Sequence, residues 1–563
     1  MTELLRTVSL FAACSALAVS TSPVLPAQSE PPIRIVIDIH MDPMHAYPAA
    51  ARPLVYQRWV DDTDSLLDII EPHGAQISFL SCGEFMEYVV DEGVTGSGAD
   101  LIRRMYSLGG QIGSHSHDEA QTGPHRWSSI PSNPTPQQEA QVWTDNIRWV
   151  DRAIRISLGT SLSEPIRQVN GVRGSHVPKS EASYHTLMQS NGFRVREGGP
   201  EEDFYGLFTH YIYHPYRPNP ANAIDEDLTA PFVAVPQGSV IGRAGSHKGV
   251  YQDATIEASK ALFLAQLINW RHAERTGQDD KIWVFGHGSH GSDLAENSPT
   301  RLAWIELVRW MSTKFIGKTT PGGSTVAAFD TQKGVADAYF DWEQLNPGTS
   351  SHGYPSKITN WALYPYLRTV AEEFAGARLV DEPNLAPGLD AYVFDRAGTP
   401  VVALWSDSTS GTVDLSAYFS GPVHMRNAET GAFLGSNPSQ VPFGAAAVIV
   451  APGSPYTGVS GSSRIGETLA LEMQGQPGSV GAFLLGTQPA SLALPGMGTL
   501  LVDLASTHAV ISGVRLSPDG AGRVRVQIPN DPRFSGVRLF AQAISQRPGS
   551  LQLATNHTVI DLL

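Results

Sequence analysis

Along the first two-thirds of the chain, short runs of β-branched and aromatic residues alternate with longer segments whose apolar positions recur every three or four residues. The first run, Ile33-Arg-Ile-Val-Ile-Asp-Ile-His, is nearly continuous in β-branched residues and predicts a strand buried on both faces, as in a parallel α/β sheet. A helix over 59–70, a second buried strand over 75–82, a short helix over 101–108 stopped by Gly109-Gly110, and a strand over 111–114 follow. Thr135, Pro136 and Gln138 then form a capping-box signature, opening a helix in which Trp143, Ile147, Val150 and Ile154 recur at helical spacing. Strands over 169–174, 193–196, 232–236 and 281–287 and helices over 182–190, 255–276, 301–315 and 331–342 complete six or seven strand–helix units. Order and length together predict a (β/α) barrel, distorted and seven-stranded.

The period changes after Asn346-Pro-Gly-Thr-Ser-Ser. From 377 onward, short strands over 392–394, 401–405, 411–415, 423–426 and 446–450 are separated by turn residues, the pattern of a β-sandwich. A second Gly- and Ser-rich run at 453–463 precedes another series of short strands. The predicted layout is an α/β barrel at 31–345 followed by two all-β domains, at 346–453 and 460–563.

The first residues follow a different pattern. Arg6, an apolar run from 8 to 19 and small residues after it have the order of a secretory signal peptide over 1–27, too short in its apolar part to span a bilayer. The expectation is a secreted, periplasmic or cell-surface protein with no membrane span. With that segment removed, Cys82 is the one cysteine left and no intrachain disulfide is possible. Lys and Arg total 39 against 55 Asp and Glu, a net charge of −16 that argues against nucleic acid as a partner.

In parallel α/β folds the loops beyond the C-terminal strand ends build the active site, and the chemical residues here fall at such ends. The first strand delivers Asp38, His40, Asp42 and His45. The third delivers His115, His117, Asp118 and Glu119, the densest group of ligand-type side chains in the chain. The strand near Val172 delivers Arg173 and His176, and the last delivers His287 and His290. Imidazoles and carboxylates crowded at a strand end suit a borderline divalent ion, Zn²⁺ first among them. Ser114, Ser116, Ser175 and Ser289 lie nearby, but no Gly-x-Ser-x-Gly elbow supports a serine hydrolase.

This ordered set, over residues 33–295, resembles the polysaccharide deacetylase family, carbohydrate esterases of the NodB-homology type within the glycoside hydrolase/deacetylase barrel superfamily. Gln111-Ile-Gly-Ser-His-Ser-His-Asp-Glu is similar to the family's second motif, with His115 at the first ligand position and Glu119, not His, at the second. The resemblance implies a metal held by Asp42 and His115 and completed by Glu119, His117 or His125. It also implies Asp38 as base, Arg173 orienting that base, and His287 as the acid of the last motif. The implied activity is removal of N- or O-acetyl groups from an extracellular or cell-wall polysaccharide. Two other readings remain open: a glycoside hydrolase of the same superfamily using Asp38 or Asp118 with Glu119, and an inactive glycan-binding or adhesive protein.

Overall fold

The structure, a computed structural model, describes residues 30–44, 47–116, 135–160, 169–172, 181–197, 214–221, 225–236, 256–277, 281–349, 365–374, 376–396, 398–421, 423–452, 456–475, 478–494, 497–517, 521–547, 550–554 and 557–563. The predicted signal peptide, His45, His117, Asp118, Glu119, His125, Arg173 and His176 lie outside these residues. The regular elements of the first part are β1 (Ile33–Met41), α1 (Arg52–Ile70), β2 (Ser78–Ser81), α2 (Gly83–Glu92), α3 (Ser97–Ser107), β3 (Gln111–Ser116), α4 (Pro136–Leu158), β4 (Val169–Val172), α5 (Glu181–Asn191), β5 (Val195–Glu197), β6 (Val233–Val235), α6 (Ile256–Thr276), β7 (Trp283–His290), α7 (Pro299–Lys314), β8 (Ala327–Asp330), α8 (Gln332–Leu345) and α9 (Pro365–Phe374). The start of α4 is the expected capping box, with the Thr135 hydroxyl accepting from the Gln138 N–H and the Gln138 side chain accepting from the Thr135 N–H.

Seven strands run parallel in the order β6-β5-β4-β3-β2-β1-β7. β8 is an eighth, pairing with the first half of β1, Ile33 to Val36, while β2 pairs with Asp38 to Met41. The sheet is strongly curled. His40 on β1 and Glu197 on β5 are four strands apart, which in a flat sheet would separate them by about 19 Å; their side chains meet at 2.7 Å. Between β6 and β7 no ladder bond joins the described residues. There Tyr216 exchanges two backbone hydrogen bonds with Ala234 of β6, and His214 Nδ1 donates to the Ile282 carbonyl before β7. The result is a distorted (β/α) barrel.

Two apolar cores explain why its strands read as nearly continuous hydrophobic runs. Ile33, Ile35, Ile37 and Ile39 of β1 point outward and share a cluster with Trp59 of α1, Trp270 of α6 and Trp304 of α7. Val36, Leu80, Val195, Val233, Val235 and Val284 point inward, and the space they enclose is filled by Val335, Ala336, Tyr339 and Trp342 of α8. The barrel is therefore plugged, and its polar inward residues collect at the opposite, C-terminal end.

The second part contains β9 (Arg378–Asp381), β10 (Asp390–Arg396), β11 (Thr399–Trp405), β12 (Gly411–Val413), β13 (Val423–Asn427), β14 (Phe433–Gly435), β15 (Val441–Phe443) and β16 (Val448–Pro452). Six of these form an antiparallel sheet in the order β14-β13-β16-β11-β10-β9, and β12 pairs with β15. One face of that sheet, including Phe394, Ala403 and Ile449, joins the outer core of the barrel through Leu367, Val370 and Phe374 of α9; the other packs on Leu415, Phe419 and Val441. The apolar core thus continues across residue 346. The third part, β17 (Tyr456–Gly461), β18 (Thr468–Gln474), β19 (Val480–Gly486), β20 (Pro489–Leu494), β21 (Gly498–Val502), β22 (Thr507–Arg515), β23 (Ala521–Gln527), β24 (Arg538–Arg547), β25 (Ser550–Leu553) and β26 (Thr558–Asp561), packs a β17-β18-β23 sheet on a sheet containing β22-β19-β24-β25 and β26. Among the described residues, no helix is long and apolar enough to cross a membrane.

Glu373 on α9 is buried where barrel and β-domain meet, within 2.9 Å of His424 Nε2 and 3.3 Å of both Arg426 and Arg396. Burial alone would raise its pKa, but His424, Arg426 and Arg396 around it prevail and hold the carboxyl well below the usual range. A depressed carboxyl stabilises the fold above its ordinary value of 4.5, and that stability disappears as pH falls toward the lower folded value. Glu373→Gln should therefore cost about 3–5 kcal/mol at pH 7, the scale for breaking a buried ion pair. Urea unfolding of both proteins from pH 7 to pH 3 should show the difference shrinking on the acid side; a gap that is constant with pH would refute the assignment.

Candidate metal centre

Strand alternation sends Val36, Asp38 and His40 of β1 into the barrel. Parallel register then sets what stands beside each of them. His40 is level with Leu80 of β2 and His290 of β7, and Leu80 is level with Gly113 of β3, two residues below His115. His115 and, from β5, Glu197 thus arrive at the same open end, with Asp42 just past the end of β1.

Their side chains converge. His40, His115 and Glu197 are all buried, with exposures of 2%, 0% and 1%, and each can offer one ligand atom within 4.8 Å of the others. His40 Nε2 lies 2.7 Å from Glu197 Oε1, and the His40 and His115 rings are 4.5 Å apart between centroids. Asp42 links the group outward: one carboxylate oxygen is 3.1 Å from His115 Nε2 and the other 3.7 Å from His290 Nε2. On its far side, His290 Nδ1 is 3.6 Å from Asp293.

A divalent ion fits this set. Zn–N and Zn–O distances near 2.1 Å place tetrahedral ligand atoms about 3.4 Å apart, so modest side-chain rotation closes the 4.8 Å frame. Two imidazoles and one carboxylate leave a fourth position open for water, or for Asp42. A buried carboxylate is costly in a low-dielectric interior unless it is protonated, paired or bound to a metal, and Glu197 lies against His40.

Of the residues assigned to the metal, Asp42 and His115 stand side by side, 3.1 Å apart. Glu119, His117 and His125, the expected third ligands, and Arg173 lie outside the described residues. Asp38, expected as the base, faces inward but is fully buried one row beneath His40, where its Oδ2 accepts from the Gln332 amide at 2.9 Å. His287 faces away from the site. It packs in the outer core, its ring 5.7 Å from Phe285 and 5.8 Å from Trp304, and neither ring nitrogen makes a well-formed hydrogen bond. The inward histidine of that strand is His290, three residues on.

The sequence places His40 and His290 at strand ends among the candidates but assigns neither a role, and it does not single out Glu197. His40 has a legible signal, since it shares the parity of Asp38. Glu197 ends a strand whose sequence, Phe193-Arg-Val-Arg-Glu, gives no sign of which residue turns inward.

Neither a family model nor a curated protein sequence matches the chain. Among solved structures, it is similar to the 4-alpha-glucanotransferase from Thermococcus litoralis, with 9% identity over 92% of this chain and 85% of that one and a TM-score of 0.33. It is also similar to the isomaltulose synthase SmuA from Protaminobacter rubrum, with 11% identity over 63% and 68% and a TM-score of 0.15. Likeness at this level assigns neither family nor activity.

Burial pushes the His287 pKa down to about 4, against a smaller opposing pull from the Gly286 backbone. The folded protein therefore declines a proton that the unfolded chain takes up below pH 6.5, and His287 makes stability fall as pH drops from 6.5 toward 4 by up to about 1.4 kcal/mol per unit. His287→Leu should flatten that slope in denaturant unfolding and leave Co²⁺ binding at the mouth unchanged. Loss of Co²⁺ binding would contradict the outward placement.

Proposed function

We propose that the mouth of the barrel is a hydrolytic metal centre, that its ion is divalent with Zn²⁺ the first candidate, and that the chain is an exported hydrolase removing acyl groups from a polysaccharide. The observation that supports the metal reading is the convergence of His40, His115 and Glu197 from three different strands at one buried point. The acylated glycan rests on the likeness of residues 111–119 to the deacetylase motif, and export rests on the segment at 1–27.

His40, His115 and Glu197 would hold the ion, with Asp42 beside them. A bound divalent ion supplies Lewis acidity, lowering the pKa of water and polarising an acyl carbonyl. The chain's own residues do the rest. The 2.7 Å approach of Glu197 Oε1 to His40 Nε2 sets two ligand atoms side by side. Asp42, the more exposed carboxylate, stands between His115 and His290 and is placed to accept a proton from attacking water. His290, bracketed by Asp42 and Asp293, is placed to deliver a proton to the departing alkoxide or amine.

A second reading, glycoside hydrolysis, is favoured by the presence of two carboxylates, Asp42 and Glu197, at one mouth. Product analysis separates the two. Purified protein incubated with N-acetylated chitooligosaccharides and O-acetylated xylan should release acetate, stop with chelator and recover with Zn²⁺. His40→Ala and His115→Ala should each lose more than the about 10–100-fold typical of changes outside the ligand shell. New reducing ends without acetate would favour the glycosidase, and chelator-insensitive acetate release would refute the metal reading.

A further inference from the structure

We infer that Gln332, at the start of α8, is a positioning residue for the cation site and acts on it through Asp38. This inference rests on the metal reading of the mouth. Three neighbouring strands place Asp38, Ser78 and Gln111 in register, one row across β1, β2 and β3. All three side chains accept hydrogen bonds from the first turn of α8, which follows β1 by nearly the whole length of the barrel. The Gln332 side-chain amide donates to Asp38 Oδ2 at 2.9 Å, its backbone N–H to Ser78 Oγ at 2.9 Å, and the Lys333 N–H to Gln111 Oε1 at 2.8 Å. Thr331 completes the turn, its hydroxyl accepting from the Gly334 N–H. The N–H groups that a helix start leaves open are thus satisfied by a row of the barrel wall.

His40 is the next inward residue above Asp38 on the same strand. The row that receives α8 is therefore the support on which the cation site stands. Asp38 is fully buried, and a carboxylate there is costly unless dipoles or cations compensate it. The α8 N-terminus and the Gln332 amide meet it from below. A cation at His40, His115 and Glu197 would meet it from above, so Asp38 favours cation binding to the degree that its position is fixed. The Gln332 amide, 2.9 Å from Oδ2, is one of the groups that fix it. Val335 and Tyr339, further along α8, pack in the inner core without touching this row in any described hydrogen bond.

Co²⁺ titration of the full chain, read by visible absorption and by competition with Zn²⁺, tests the inference without an activity assay. Gln332→Met keeps length and helix propensity but loses the donor; Gln332→Leu loses the donor without a heteroatom that could approach Asp38. Each should weaken Co²⁺ binding about tenfold, the scale for removing a partner outside the ligand shell, and shift the absorption of the bound ion. Asp38→Asn should weaken it at least as much, and adding Gln332→Met to Asp38→Asn should weaken it no further, because the effect runs through one carboxylate. Val335→Ala should lower the thermal midpoint and leave Co²⁺ affinity intact. Unchanged affinity in both Gln332 variants, additive losses in the double variant, or a Val335→Ala loss equal to that of Gln332→Met would overturn the inference while the metal reading stands. If the wild-type protein binds neither Co²⁺ nor Zn²⁺, the metal reading falls and takes this inference with it.

Discussion

The contact between His40 and Glu197 constrains everything around it. A side chain on the first strand can touch one on the fifth only if the intervening sheet bends, so the barrel's curvature and the candidate site are a single fact. Curvature shrinks the interior, and a narrow interior must be filled. It is filled below by α8 and its apolar side chains, and above by imidazoles and carboxylates that can satisfy one another. Polar groups could not occupy the lower half, where water has no access, without the hydrogen bonds that the start of α8 supplies to Asp38, Ser78 and Gln111.

The same division explains how the rest of the chain is attached. The outward face of β1 carries four isoleucines and needs a thick apolar cover, which α1, α6 and α7 provide. The first β-domain then lays one face of its sheet onto the same cover, and charged contacts at the seam, Arg271 with Asp407 and Arg275 with Glu429, fix its orientation. A domain with its own complete core would not need that shared face. The C-terminal sandwich, by contrast, encloses a separate cluster built from Leu469, Leu471, Phe483 and Ala541.

Much of this was legible in the sequence because its signals are local. The strand–helix rhythm, the capping box at Thr135 and the clustering of His and Asp at strand ends all follow from short-range spacing. The choice among those residues was not legible, because strands buried on both faces show no polar alternation. Trp283-Val-Phe-Gly-His-Gly-Ser-His is apolar or small at every position up to His287, so nothing in it marks that His287 turns outward and His290 inward. Register with β1 decides that, and register is a tertiary property. Glu197 and Gln332 were hidden for a related reason. Each reaches its partner across a long sequence separation, 157 residues to His40 and 294 to Asp38, through closure of the barrel.

Whether the mouth is built for a cation or for a carboxylic acid can be argued from what surrounds each oxygen. A glycosidase acid has to retain a proton, and the usual means is an apolar wall around one of two carboxyl groups. Asp42, which is partly exposed, lacks that setting. Glu197 meets an imidazole at hydrogen-bond distance, and Asp42 has one imidazole beside each of its two oxygens. Such alternation of base and carboxylate is the arrangement in which a metal's ligands, and the groups that orient them, are found.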